Sequence, residues 1–171
     1  FVRRSRSMHL FPPNRPRPTT SVAERALHEA LSTCQLDWTV FHSLRMRSRG
    51  GWEGEGDFVI ANPHAGLLVL EVKGGAIEER DGLWFQNGRQ LDKPPRDQGL
   101  SFVKRLISEL TPPYGVATAF PDCDFSRPPS NGDLRDVVLG RRDLSHLSVA
   151  LPSVFKHAVP EGRVPTNRKW L

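Results

Sequence analysis

Two short windows in this chain hold residue types able to hydrolyse a phosphodiester: Gly54-Glu55-Gly56-Asp57-Phe58-Val59-Ile60 and Leu67-Leu68-Val69-Leu70-Glu71-Val72-Lys73-Gly74-Gly75. Strand side chains alternate between faces, so Glu71 and Lys73 share one, as do Glu55 and Asp57 if the strand already includes Glu55. In each window the charges sit where an apolar strand ends. A carboxylate on each of two neighbouring strands suits a hard divalent cation. Mg²⁺ (or Mn²⁺) takes oxygen ligands and keeps several waters plus substrate phosphate oxygens. Lys73, one pleat from Glu71, is placed to orient a water or to offset charge building on a phosphate. An isolated E-x-K is ordinarily a strand-end salt bridge. Asp57 one strand earlier, with Gly-rich segments on both sides, makes the set a candidate site.

That site exists only if the two windows are adjacent strands. Asp57–Ala61 and Leu67–Lys73 read as strands, and Asn62-Pro63-His64-Ala65-Gly66 between them is turn chemistry. Five residues leave no room for a crossover, so the pair is expected to be antiparallel. Upstream, Ser21 offers an N-cap with Glu24 three residues on, and Val22, Ala26, Leu27, Ala30 and Leu31 follow at helical spacing. Trp38–Leu44 reads as a strand and Arg45–Gly54 as a Gly-rich basic loop. Downstream, Ala76–Glu79 and Leu83–Phe85 form a hairpin around Asp81-Gly82. A helix is expected over Arg96–Leu110, stopped by Pro112-Pro113, then a strand over Gly115–Phe120. Residues 121–132 read as loop and Val137–Leu139 as a further strand. Leu144–Val149 is ambiguous. This order predicts an α/β fold with a mixed central sheet flanked by helices.

The composition bounds the rest. The chain has 171 residues with 37% hydrophobic, 15 Pro and 2 Cys, enough for one domain with a proper core. We place that domain at 21–158, between a flexible Pro/Arg-rich arm at 1–20 and a tail at 159–171. No apolar run reaches membrane-helix length, and no signal peptide is readable after Arg3, Arg4 and Arg6. Cys34 and Cys123 lack the pairing of a disulfide framework or zinc site. The expectation is a cytoplasmic protein with no membrane partner. The net charge of +5 is uneven: residues 1–49 hold nine Arg against three acids. A basic first quarter points to a polyanion. Arg45, Arg47 and Arg49, just before the acidic window, are candidate phosphate contacts that would make binding salt-dependent. The other reading is a solvated loop.

The pattern D-x(n)-E-V-K between two apolar strands resembles the PD-(D/E)xK restriction-endonuclease-like nucleases. More specifically, Ala23-Glu24-Arg25, Val40-Phe41-His42-Ser43-Leu44, Gly54–Val59 and Gly66–Gly75 resemble the NERD (nuclease-related) domain. Trp84, Pro95 with Gln98, Gly115-Val116 and Phe120-Pro121 continue the likeness, over about residues 20–121 and more weakly at 137–144. The resemblance implies a restriction-endonuclease-like core, a divalent metal and cleavage of nucleic acid, with DNA favoured. It makes Asp57 and Glu71 the metal carboxylates and Lys73 the catalytic lysine. Glu24 matches a first-helix glutamate that approaches the metal in some relatives, and Gln98 a helix glutamine beside the site. Gly56 stands where the superfamily often has Pro. Family members are often fused to helicase or kinase-like regions, so this chain is either a stand-alone protein or a fragment of a larger one.

Each residue also has a plainer reading. Glu24 is placed to complete a capping box and Gln98 to cap its helix. Glu55 either meets the cation through water or sits in the loop. His42, His64, His146 and His157 lack a second ligand at metal spacing and read as structural. Ser43, Ser48 and Cys34 have no base partner. Trp52 and Trp84 could stack on bases, although Trp84 fits a core. Two functions follow: a metal-dependent nuclease involved in DNA processing or repair, or a non-catalytic nucleic-acid-binding module. The intact set Asp57, Glu71 and Lys73 favours the enzyme, because a module that only binds a polyanion has no need of acids against it.

Overall fold

The computed structural model of the chain describes residues 7–47, 49–107, 112–125 and 137–162. In chain order the elements are β1 (His9–Phe11), α1 (Val22–Ser32), β2 (Thr39–Arg47), β3 (Glu53–Asn62), β4 (Gly66–Val72), β5 (Ile77–Arg80), β6 (Leu83–Gln86), β7 (Arg89–Gln90), α2 (Pro95–Leu106), β8 (Tyr114–Phe120) and β9 (Val138–Gly140). A 3-10 turn, Arg141–His146, leads into α3 (Leu147–Ala158). The central sheet runs β1-β2-β3-β4-β8-β9, and β5-β6-β7 form a small separate sheet. β2, β3 and β4 pair antiparallel, as the five-residue turn requires, whereas β1–β2, β4–β8 and β8–β9 are parallel. This is the mixed, helix-flanked sheet of a restriction-endonuclease-like core.

The alternation of β3 and β4 builds two apolar layers. Phe58, Ile60, Leu68 and Leu70 face Leu27 and Leu31 of α1 and Leu151 and Phe155 of α3. Val59, Ala61, Leu67 and Val69 face Phe102, Val103 and Leu106 of α2. Leu27, Leu31, Leu68 and Leu151 are fully buried, each contributing about 1.5–3 kcal/mol relative to exposure. The helices thus lie on opposite faces of one sheet: α1 and α3 on one side, α2 on the other. Trp84 packs with Phe120 and Phe125 under the small sheet, so it serves the core.

The close fit shows at Gly115 on β8. A Cβ there would overlap the Ala158 carbonyl oxygen and stand 3.0 Å from Val159 N, both backbone at the end of α3. Backbone cannot swing aside as a side chain can. Gly115→Ala is therefore expected to cost about 1–3 kcal/mol, read as a lower urea midpoint with an unchanged slope.

Four elements differ from the sequence expectation. The described part of the arm is not free: Met8 and Leu10 are buried in the main core, and β1 pairs with β2 in register His9↔Thr39 to Phe11↔Phe41. The basic segment Arg45–Arg47 is strand rather than loop, because Arg45 lies opposite Glu55 and Arg47 opposite Glu53. Opposite charges at facing positions favour the ladder over a loop. The ambiguous stretch from Leu144 resolves into the 3-10 turn and α3, which carries Pro152 inside it. β7 adds a third strand after the predicted hairpin. The expected helix end at 108–110, most of the 121–132 loop, the first six residues of the arm and the tail beyond 162 lie outside the described residues.

Candidate active site

The β3–β4 ladder closes at Phe58↔Leu70. One step further, Asp57 faces Glu71, and the pattern of bonding changes. Val72 N–H donates to Asp57 Oδ2 (2.8 Å) rather than to a backbone carbonyl of β3. β4 meanwhile continues with β8, as Glu71↔Thr118 and Val72↔Ala119. The two central strands part at the point where their carboxylates face each other.

Both acids sit on the α2 face, in line with Val59 and Val69. Glu71 is buried, with Gly99 of α2 close over its Cβ. Lys73 Nζ donates to Glu71 Oε1 (2.8 Å) and to Gln98 Oε1 (2.9 Å). Gln98 therefore serves the lysine. It does not cap its helix, where Pro94 is the N-cap and no side-chain cap hydrogen bond forms. The lysine stem is only 18% exposed, so its charge is fixed in place rather than solvated.

Burial pushes Asp57 up to about 7, and the Glu71 charge adds to the shift. Glu24 pushes the same way more weakly than Glu71, while Val72 N–H and Lys73 work against it. A carboxylate held near neutrality by burial and a like charge marks a site that a cation would relieve. Among the described residues, Asp57 Oδ1 and Glu71 Oε2 accept no hydrogen bond. Two unclaimed carboxylate oxygens on facing strands are hard ligands of the kind Mg²⁺ takes. Among the described residues no three His, Cys, Asp or Glu side chains are grouped as a metal site, so a cation here would draw on these two carboxylates.

Glu24 reaches the site from the other face of the sheet. Ser21 Oγ accepts from Glu24 N–H (3.2 Å), one half of a capping box. The reciprocal half is absent: Ser21 N–H donates to Thr19 Oγ1, and the Glu24 carboxylate bonds His42 Nε2 (2.9 Å) instead. The helix start thus keeps its cap while the side chain is released toward β2. Sequence reasoning treated His42 as structural and missed this pairing. Its signal was a lone polar residue on the inward face of an otherwise apolar strand.

Ser43 was also missed. It is buried, lies across from Asp57 between His42↔Phe58 and Leu44↔Gly56, and has φ +54°. A non-glycine residue there costs on the order of 1–3 kcal/mol. Its hydroxyl donates to Glu55 Oε1, and this bond holds Glu55 below the usual carboxylate range, helped by Arg45. Glu55 is therefore on a strand and engaged by Ser43 and Arg45.

The three arginines divide. Arg45 and Arg47 are exposed but paired with Glu55 and Glu53, and Arg49, exposed in the following turn, has no acidic partner among the described residues. Trp52 lies against Phe102 and under the Arg105 guanidinium, so its ring is engaged. His64 sits in the 62–66 turn with its N–H on Asn62 Oδ1. Ser48 lies outside the described residues. Cys34 is buried and Cys123 half-buried, both as free thiols. No helix among the described residues is long and apolar enough to cross a membrane.

Comparison with known proteins gives one match. No curated protein and no solved structure matches the chain. A family described as nuclease-related domain matches residues 19–124, which span α1 to the end of β8 and contain Glu24, Asp57, Glu71, Lys73 and Gln98. With most of its length inside that match, and with the facing carboxylates and held lysine at its centre, the chain belongs to the NERD family of nuclease-related domains.

Proposed function

We propose that the chain is a metal-dependent nuclease that hydrolyses phosphodiester bonds, with DNA as its favoured substrate and Mg²⁺ or Mn²⁺ as its cofactor. One observation carries the reading. Asp57 and Glu71 face each other on parting strands, each with an unclaimed oxygen, and Lys73 is anchored beside them by Glu71 and Gln98.

Asp57 and Glu71 would hold the cation. When bound, it supplies a Lewis acid that polarises the phosphate and lowers the pKa of a water. The chain's own residues do the remaining work. Glu71 and Gln98 fix Lys73 so that its charge offsets the negative charge developing on the phosphate oxygens, with little reorganisation during the reaction. As the water oxygen bonds to phosphorus it sheds a proton to solvent, the bond to one sugar oxygen breaks, and that oxygen takes up a proton from solvent, so the net change is the addition of one water. Asp57, whose carboxyl is raised to about 7 in the metal-free chain, would hold the cation as the ionised carboxylate.

Binding of nucleic acid falls to the basic first quarter. Arg49→Ala is expected to lower the slope of log affinity against log salt by about 1, and the Arg45, Arg47 and Arg49 triple substitution by up to about 3. The loss should be equal across sequences, since phosphate contacts carry no sequence information. Titrations in Ca²⁺ or EDTA measure this, and an unchanged slope places the contact surface elsewhere, with the Pro/Arg segment before Thr20 next. Cleavage of plasmid and oligonucleotide DNA in Mg²⁺ or Mn²⁺, against EDTA, tests the activity itself. Binding without cleavage under all of these conditions would leave the non-catalytic module as the better reading.

A further inference from the structure

We propose that His42 is a positioning residue of the active site: held in one tautomer by the backbone of the N-terminal arm, it fixes the Glu24 carboxylate beside the cation position at Asp57. The inference rests on the metal-site reading above.

Arg17 N–H donates to His42 Nδ1 (2.9 Å). A nitrogen that accepts carries no proton, so the ring is neutral with its proton on Nε2. That proton is donated to Glu24 Oε2 at 2.9 Å. His42 is 1% exposed, and its ring is packed 4.7 Å from Phe58 and 5.8 Å from His28. It can neither flip nor exchange its partner for water. Glu24 is thereby tied through one oxygen only. Its Oε1 accepts no hydrogen bond among the described residues. The start of α1 lies over the strand ends that carry the acids: Ala23 packs close against Gly74, just past Lys73, and His42 pairs with Phe58, the neighbour of Asp57.

A cation that keeps most of its waters needs acceptors for them as well as ligands. A free carboxylate oxygen held near Asp57, but not grouped with Asp57 and Glu71 as a ligand set, suits that part. Residues that orient a carboxylate at a metal site commonly change metal affinity 10- to 100-fold on mutation. The arrangement also gives the arm a role. Arg17 lies before the family-matched segment, which begins at residue 19, yet its N–H sets the proton position on His42.

The test is Mn²⁺ affinity of the full chain, by calorimetry and by the Mn²⁺ spin-resonance spectrum, with each variant's thermal stability measured alongside. His42→Leu and Glu24→Gln should each weaken Mn²⁺ binding about tenfold, and the double variant should be no weaker than Glu24→Gln alone. His42→Gln keeps an N–H that can reach Glu24 and should recover most of the loss. Arg17→Pro removes the N–H and should weaken binding in the same direction. Fully additive losses in the double variant, or wild-type affinity in His42→Leu, overturn the inference. Asp57→Ala separates the two readings: if it binds Mn²⁺ like wild type, the metal site itself is wrong. If it loses Mn²⁺ while His42→Leu does not, only the positioning role falls. Should His42→Leu not fold, nitrogen-resolved NMR of the unsubstituted chain decides. The expected result is a His42 proton on Nε2 whose resonance shifts on Mg²⁺ titration. A proton on Nδ1, or a resonance that Mg²⁺ leaves unmoved, overturns the proposal.

Discussion

Asp57→Ala and Glu71→Ala should each lower metal-dependent cleavage by at least about a thousandfold, because loss of a cation ligand removes several kcal/mol of transition-state stabilisation. Nucleic-acid binding should hold or tighten, since each substitution takes a negative charge from a phosphate-facing position. Lys73→Ala behaves differently. Nζ is held by Glu71 Oε1 and Gln98 Oε1, so its removal leaves both acids in place and Mn²⁺ still binds. Turnover falls about 10²- to 10³-fold, because the developing phosphate charge loses a preorganised partner. Single-turnover cleavage with Mn²⁺ titrated in each variant measures both effects. Wild-type rates in Asp57→Ala and Glu71→Ala would remove the reaction from this site.

The facing of Asp57 and Glu71 was legible in the sequence because it rests on strand alternation. The E-x-K spacing, the apolar runs and the 62–66 turn together dictate that Asp57 and Glu71 face each other, and the antiparallel register brings them together. Glu24 and Gln98 were ambiguous for a physical reason: a helix start offers one carboxylate or amide both a capping partner and a tertiary one. Only tertiary packing supplies His42 for the first and Lys73 for the second. β1 escaped detection because its three residues pair with a distant strand, and Pro and Arg dominate the local composition. α3 is a different case. Leu147, Leu151, Val154 and Phe155 follow helical spacing and are buried, but Pro152 in their midst argues locally against a helix. β7 was readable. Asn87 and Gly88 both have positive φ, the requirement of the tight hairpin turn that an Asn-Gly pair announces.

The metal-free chain should become more stable, not less, as pH falls from 8 toward 5.5. An unfolded Asp titrates near 3.8, whereas burial and the Glu71 charge raise the folded Asp57 to about 7. The folded state therefore binds more protons than the unfolded chain throughout that interval, and stability declines as pH rises through the folded value. At 1.36 kcal/mol per pH unit, the span from 5.5 to 7 corresponds to about 2 kcal/mol, or roughly 4–8 °C in Tm for a chain of this size. His28 acts in the opposite sense. Burial lowers its pKa, so its neutral form loses stability to the unfolded chain as pH drops below about 6.5. Asp57→Asn separates the two, since it keeps the shape and removes only the carboxyl titration. Wild type minus Asp57→Asn should show the full rise toward low pH. Mg²⁺ should reverse it, because a cation between Asp57 and Glu71 removes the repulsion that favours the proton. The Tm gain on adding Mg²⁺ is then larger at pH 8 than at pH 5.5, and absent in Asp57→Asn. Thermal melts at both pH values, with and without Mg²⁺, decide the matter. Parallel pH profiles for wild type and Asp57→Asn would show that the Asp57 carboxyl is ionised in the metal-free fold, and that no strained carboxylate pair waits there for a cation.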